Sequence, residues 1–142
     1  MNINTKILES LKTMSLSANH PKVWIASALV YKNTVISYGV NQMKSHPFQS
    51  KYGKNEESIY LHAEISAIHT ADKKLRFDRF GNSYLYIARM KWDSTNKIKM
   101  VQGLAKPCSG CMSCIQEYGI KGIVYTLDHI ENVKNNYGVI EL

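Results

Sequence analysis

The chain has 142 residues, of which 44% are hydrophobic and 20% are charged. This length fits a single domain spanning residues 1–142, and this composition excludes a wholly disordered protein. Eighteen Lys and Arg residues against eleven Asp and Glu residues give a net charge of +7, which favours partners or substrates that carry phosphate. Three cysteines are too few, and odd in number, for the disulfide framework of a secreted protein.

The N-terminal stretch, residues 1–18, lacks the basic, apolar and small-residue regions of a secretory signal. The longest near-continuous apolar segment, residues 23–31, has about half the length that a membrane helix needs. We therefore expect a soluble, cytoplasmic protein in a reducing compartment, with no membrane partner.

The first part of the chain predicts a helix followed by a β-hairpin. Apolar residues recur at three- and four-residue steps over residues 3–18, which is typical of an amphipathic helix, and Pro21 ends it. Residues 23–31 are apolar on both alternating faces and predict a strand that is covered on both sides. Residues 34–40 predict its hairpin partner.

The rest of the chain alternates helices with strands. Residues 41–58 are polar and rich in turn residues, and a segment of this length predicts a loop with a functional role. The further predicted elements are a helix from Leu61 to about Lys74, a strand at 83–90, a helix from Pro107 to Tyr118, a strand at 123–126 and a last strand at 139–142 that returns antiparallel. This order predicts an α/β fold, a three-layer α/β/α sandwich around a mixed five-stranded sheet.

Two short motifs contain the residues that we expect to perform chemistry. They are His-x-Glu at residues 62–64 and Pro-Cys-x-x-Cys at residues 107–111, each at a predicted helix start. Free backbone N–H groups in a first helical turn lower the pKa of the Cys108 thiol, and the thiolate is the form that binds zinc. Cys111 follows one turn later on nearly the same face, so both sulfurs can bind one ion together with a nitrogen of His62.

The number of protein ligands separates a catalytic site from a structural one. Structural zinc sites have four protein ligands, whereas catalytic sites leave the fourth position to water. Cys114 is the obvious fourth candidate, but on a helix it lies roughly 240° around the axis from Cys108, so we interpret it as a core residue. If Cys114 or His69 did complete the site, the protein would be a non-catalytic, zinc-stabilised binding domain.

Glu64 lies two residues after His62 at the same helix start, where both side chains can border one pocket. A carboxylate beside a metal site can take up and return protons, so we predict that Glu64 is catalytic. A glutamate in a first turn also suits the helix dipole, which would explain it without catalysis.

With these two motifs in this order, the chain resembles the zinc-dependent cytidine and deoxycytidylate deaminase superfamily. The resemblance covers most of the chain and implies the fold described above. It also implies one zinc ion per chain, held by His62, Cys108 and Cys111, with Glu64 as the proton shuttle. The implied reaction is hydrolysis of the amine of cytosine, which gives uracil and ammonia.

The resemblance also implies contacts with the substrate. Asn41 resembles the family's asparagine that contacts the sugar, and the backbone N–H of Ala63 resembles the group that contacts the base. Family members assemble as dimers, tetramers or hexamers, so a homo-oligomer is an open expectation. The chain departs from many relatives at residues 91–106, which separate the third strand from the Pro-Cys motif and predict a hairpin extension beside the pocket.

Two classes of substrate remain open. One is a free nucleoside or nucleotide such as deoxycytidylate, and the other is cytosine, or less often adenine, in single-stranded DNA or RNA. Basic grooves with stacking aromatic rings hold single strands, at roughly 1–3 kcal/mol per base, and aromatic residues alternate with lysines in both the long loop and the insertion. The free nucleotide is the leading interpretation, because charge alone is weak evidence. Candidate substrate contacts are His46, Phe48, Trp92 and Lys106.

Overall fold

The structure is a computed structural model that describes residues 3–18, 20, 23–43, 46–52, 61–75, 77–95, 98–134 and 136–142. In chain order these residues form α1 (Thr5–Ser15), β1 (Trp24–Tyr31), β2 (Thr34–Val40), α2 (Pro47–Ser50), α3 (Ala63–Asp72), a 3₁₀ helix (Phe77–Asn82), β3 (Ser83–Trp92), β4 (Met100–Gly103), α4 (Ser109–Glu117), β5 (Gly122–Thr126) and β6 (Tyr137–Glu141).

The strands form one mixed sheet in the order β2-β1-β3-β5-β6, which confirms the predicted α/β class. Strands β3 and β5 are parallel, and the other pairs, including the last strand with β5, are antiparallel. Strand β4 is additional to the five predicted strands. It pairs with residues 89–92 of β3, beyond the part of β3 that pairs with β5, so the insertion at 91–106 does extend a hairpin.

Two hydrophobic cores lie on opposite faces of the sheet. Helix α1 covers β1 and β3 on one face and buries Leu8 and Leu11. Helices α3 and α4 lie on the other face. Consecutive strand residues point to opposite faces, so Ala28 of β1 lies in the α1 core and Leu29 in the other. The predicted three-layer arrangement is therefore confirmed.

Turn chemistry fixes the ends of two elements. Lys32 and Asn33, between β1 and β2, have φ angles of +51° and +61°, as in the type I′ turn whose twist matches that of the flanking strands. Helix α4 is followed by Gly119 at φ +72°, the left-handed conformation that ends many helices. Both turns lie directly after predicted elements, between the strands at 23–31 and 34–40 and after the helix that ends at Tyr118.

The predicted loop at 41–58 contains helix α2, while residues 44–45 and 53–58 lie outside the described residues. His46 begins α2, because its ring Nδ1 accepts a hydrogen bond from the Phe48 backbone N–H at 3.1 Å. In the part of the chain that the structure describes, no helix has both the length and the apolar character needed to cross a membrane.

Candidate metal centre

The starts of α3 and α4 meet at one point. His62 is the N-cap of α3, Cys108 is the N-cap of α4, and Cys111 lies in the first turn of α4. The Nδ1 atom of His62 is 3.2 Å from the Cys111 sulfur and 3.8 Å from the Cys108 sulfur, and the three ligand atoms lie within 4.8 Å of one another. Zinc bonds of about 2.3 Å to sulfur and 2.0–2.1 Å to nitrogen place tetrahedral ligand atoms roughly 3.5–3.8 Å apart, so the set fits one ion.

Helix α4 begins two residues later than the sequence predicts. Pro107 lies outside the helix, and Cys108 caps it by accepting a weak hydrogen bond of 3.5 Å from the Cys111 backbone N–H. Contacts of the Cys108 sulfur with Cys111 and His62 lower the pKa of Cys108 to about 3, although burial opposes the shift. The neighbouring Cys108 sulfur and burial raise the pKa of Cys111. The two shifts run in opposite directions because each thiol is the first cause of the shift in the other.

Small residues of the sheet set the position of α3. The Ser27 hydroxyl donates a hydrogen bond of 2.7 Å to the Ala63 carbonyl, and the Ser37 hydroxyl donates one of 2.6 Å to the Ala67 carbonyl. A Cβ atom at Gly39 would lie 2.4 Å from the Ala63 carbonyl oxygen, so the helix backbone rests directly on β2. The Ser27 and Gly39 contacts fix the first turn of α3, where two of the predicted functional side chains begin, and the Ser37 contact holds the next turn.

Glu64 is buried in this first turn, with 5% of its surface exposed. Burial raises the pKa of the Glu64 carboxyl, while the charge of His62 acts in the opposite direction. Ala63 beside it is fully buried, and as the first helical residue its backbone N–H has no acceptor within the helix. A buried carboxyl group and a helical N–H without an intrahelical acceptor thus lie next to the metal-ligand set.

Asn41 follows β2 and its side chain binds the backbone of β1. Its Oδ1 accepts a hydrogen bond of 2.9 Å from the Ile25 N–H, and its Nδ2 donates one of 2.9 Å to the Val23 carbonyl. The residue is 7% exposed. Asn41 therefore extends the pairing of the hairpin at the end of the sheet, and its role in sugar binding remains a prediction.

The other predicted substrate contacts are spread around this end of the molecule. His46 and Phe48 both pack against His69, with ring centroids 4.9 and 4.6 Å apart. Trp92 ends β3 and is 51% exposed, and Lys106 is exposed two residues before Cys108. Within the described residues, none of the four predicted contacts shares a hydrogen bond or ring contact with the metal ligands. Their substrate roles remain predictions.

The structure places Cys114 in the core, as predicted. Its side chain is fully buried between α4 and the sheet and belongs to the same hydrophobic cluster as Ile115. Among the described residues the metal-ligand group contains one His and two Cys, and neither Cys114 nor His69 joins it. This arrangement favours a site with an open fourth position over a closed structural site.

Comparison with known families places this geometry in context. The model of the cytidine and deoxycytidylate deaminase zinc-binding region matches residues 1–127. The chain belongs to the cytidine and deoxycytidylate deaminase family. The matched residues include both motifs, and the described metal-ligand group is built from them. A search of curated protein sequences found no relative that matches the chain.

Solved structures of deaminases share the fold of this family member. The cytidine deaminase of Burkholderia pseudomallei matches with a TM-score of 0.64 and 17% identity, over 99% of this chain and 93% of the other. The dCMP deaminase of the cyanophage S-TIM5 matches with a TM-score of 0.54 and 19% identity, over 88% and 86% of the two chains. At these identities the likeness establishes the fold and leaves the substrate open.

Two further residues of this deaminase-family chain come close to the site without being marked by its motifs. Gln49 of α2 is 1% exposed, and its Oε1 accepts a hydrogen bond of 3.1 Å from the His62 backbone N–H. Arg89 of β3 lies opposite Ile25, which packs in the core beneath α3 and α4, so Arg89 points to the same face of the sheet. In the sequence, Gln49 is a polar residue inside the long loop and Arg89 is a cation inside an apolar strand. These were the two features that could have drawn attention to them.

Proposed function

We propose that this protein is a zinc-dependent hydrolytic deaminase that converts cytosine to uracil in a free nucleotide such as deoxycytidylate. The observation that carries the proposal is the meeting of one imidazole and two thiols with a buried carboxyl group at two helix starts. A set of three protein ligands with an open position is the arrangement of catalytic zinc sites.

The residues present fit the metal. His62 Nδ1 and the sulfurs of Cys108 and Cys111 would hold zinc, which prefers nitrogen and sulfur donors at such distances. When bound at a site of this kind, zinc lowers the pKa of water from about 15.7 toward 7. Glu64 accounts for the protons: its carboxyl takes the first proton of water and gives it to the ring nitrogen of cytosine, then takes the second and passes it to the leaving amine. The water oxygen bonds to the ring carbon that carries the amine, and the bond from that carbon to the amine breaks, so that water and cytosine become uracil and ammonia.

Arg89 supports a substrate that carries phosphate. The Ser27 hydroxyl binds the first residue of α3, and Ser27 lies opposite Ile87 of β3. Arg89 is two residues farther along β3, so it lies about 7 Å beyond Ile87 and past the start of α3. Its Nε atom is buried and has no hydrogen-bond partner within the described residues. Arg89 helps to lower the pKa of Asp128, but the first cause of that shift is the hydrogen bond from Lys91, at 2.8 Å. An Nε–H donor without a partner among the described residues favours an anionic group bound beside it.

Single-stranded nucleic acid is the second candidate substrate, and one surface favours it. The hairpin of β3 and β4 extends beyond β5 at the site end of the sheet and carries the exposed Trp92, with exposed Lys99 nearby. Proteins bind single strands by stacking bases on aromatic rings that lie beside cationic side chains. Binding of a strand should weaken by orders of magnitude as salt rises, whereas binding of one nucleotide should change little.

The test compares ammonia release from deoxycytidylate, cytidine and a cytosine-containing oligonucleotide. We expect deoxycytidylate to be the best substrate, and Glu64→Ala to keep its zinc while losing at least about 10²-fold in kcat. Full activity of Glu64→Ala would contradict the role of the carboxyl group. Absence of ammonia release from all three substrates would contradict the deamination of cytosine.

The contribution of phosphate recognition is measured separately. Arg89→Met should raise KM for deoxycytidylate about tenfold or more and leave kcat/KM for cytidine nearly unchanged, because a charge-assisted hydrogen bond to the phosphate is lost. Lys99→Met removes an exposed cation of the hairpin and is the matched control. Equal losses with cytidine and deoxycytidylate would contradict a phosphate contact at Arg89.

A further inference from the structure

Helix α2 contains a fully buried amide beside the metal-ligand set. Gln49 is 1% exposed, and the hydrogen bond from the His62 N–H to its Oε1 joins residues 13 positions apart. A buried amide without a hydrogen bond is unfavourable by roughly 1–3 kcal/mol on protein scales. A buried amide in this position is therefore favourable only when its hydrogen bond is made.

The segment 46–52 docks on α3 at two levels. At the N-cap of α3, the Gln49 side chain accepts the hydrogen bond from the His62 backbone. Two turns farther along the helix, Phe48 packs against His69, with 4.6 Å between the ring centroids. The residue before the N-cap is held as well, since the Gln42 N–H donates a hydrogen bond of 2.9 Å to the Leu61 carbonyl. The backbone that enters α3 is thus fixed by hydrogen bonds on both sides of the peptide that precedes His62.

His62 differs from an ordinary N-cap in a way that makes this support necessary. Its side chain makes no capping hydrogen bond to α3, so the helix holds His62 through its backbone, whose carbonyl accepts a hydrogen bond of 3.0 Å from the Ser66 N–H, and leaves the ring unheld. Its ring Nδ1 instead points at the two sulfurs of α4. The direction of the ring therefore depends on where the His62 backbone is held.

We propose that Gln49 is a positioning residue for the metal ligand His62: its amide oxygen fixes the His62 N–H and thereby the direction of the imidazole. The inference rests on the zinc site of the proposed function but not on the reaction performed there. Partners of metal ligands that do not touch the metal typically change metal affinity about 10- to 100-fold when they are removed.

The test measures zinc affinity by competition with a chelator, together with the visible spectrum of the Co(II)-substituted protein. Gln49→Met keeps the length of the side chain and removes the acceptor, and we expect about 10- to 100-fold weaker zinc binding and an altered Co(II) spectrum. Gln49→Glu keeps an accepting oxygen and should bind zinc within about threefold of the unmodified chain.

Ser37→Ala is the matched control, because it removes a buried hydrogen bond to α3 one turn beyond the metal ligand. It should lower the stability of the protein while leaving zinc affinity and the Co(II) spectrum unchanged. Unchanged affinity in Gln49→Met, an equal loss in Ser37→Ala, or failure of Gln49→Glu to retain affinity would overturn the inference. Since the readout is metal binding, the result stands whether or not any cytosine substrate releases ammonia.

Discussion

The two helix starts that form the candidate metal centre are organised differently. The start of α3 is buried and held from outside by a hydroxyl of β1 and by an amide of α2. The start of α4 exposes Cys108 and is held by the cap that this residue makes to its own helix. The α3 half therefore presents its imidazole and carboxyl group in a position set by packing, whereas the α4 half presents its sulfurs through local helix geometry.

Gly39→Ala should disrupt the α3 half most strongly. The added Cβ would meet backbone atoms at 2.4 Å and 2.7 Å, and the helix has to move away from β2 to admit it. We expect the free energy of unfolding in urea to fall by about 3 kcal/mol, at the upper end for an added methyl group, together with a loss of bound zinc.

Gly81→Ala provides the control for this change. The nearest atom to a Cβ at exposed Gly81 is 3.9 Å away, which is ordinary contact. Its stability should stay within about 0.5 kcal/mol of the unmodified chain. Similar losses in the two variants would mean that the close approach of α3 to β2 has no special importance.

Paired serine substitutions compare the two helices directly. Ser27→Ala removes a buried hydroxyl donor to the Ala63 carbonyl and should lower the free energy of unfolding by about 1 kcal/mol. Ser113→Ala removes an exposed hydrogen bond of 3.0 Å to a carbonyl of α4 and should cost less than about 0.5 kcal/mol. Equal losses in denaturant titrations would contradict the difference between the two helix starts.

Cys114→Ala tests whether the core cysteine takes part in the metal site. Its side chain is fully buried away from the ligand group, so we expect a stability loss of about 1 kcal/mol from lost packing and one zinc ion still bound per chain. Metal analysis of the purified variant measures this. Loss of zinc would favour the alternative of a closed, non-catalytic site.

Cys108→Ser should have the smallest effect on stability and a clear effect on metal. Serine is a preferred N-cap residue, so the metal-free variant should unfold within about 0.5 kcal/mol of the metal-free parent. A chelator concentration that leaves zinc bound to the parent protein should remove zinc from the Cys108→Ser variant. A variant that unfolds much more easily without metal would show that the thiol holds the α4 start in some way other than capping.

Local chemistry explains why much of the fold could be predicted from the sequence. Helix α1, the hairpin turn at Lys32 and the left-handed Gly119 follow from periodicity and backbone preference, which act over a few residues. The candidate metal ligands could be predicted for the same reason, because each motif lies at one helix start. The structure brings the two motifs together on one face of the sheet.

What the sequence did not reveal depends on contacts between distant segments. Gln49 binds a backbone N–H outside its own helix, and no pattern around it predicts this partner. Gly39 matters through the backbone of α3 that rests on it, which a strand pattern does not indicate. The true start of α4 differs from the predicted one because proline is also common just outside a helix, so its position alone does not fix the first helical residue.

X-ray absorption at the zinc edge of the loaded protein tests the account most directly. We predict two sulfur neighbours at about 2.3 Å and two lighter neighbours at about 2.0–2.1 Å, namely the imidazole nitrogen of His62 and a solvent oxygen. Three or four sulfur neighbours, or a purified chain that binds no zinc, would contradict a metal site with one position open to solvent.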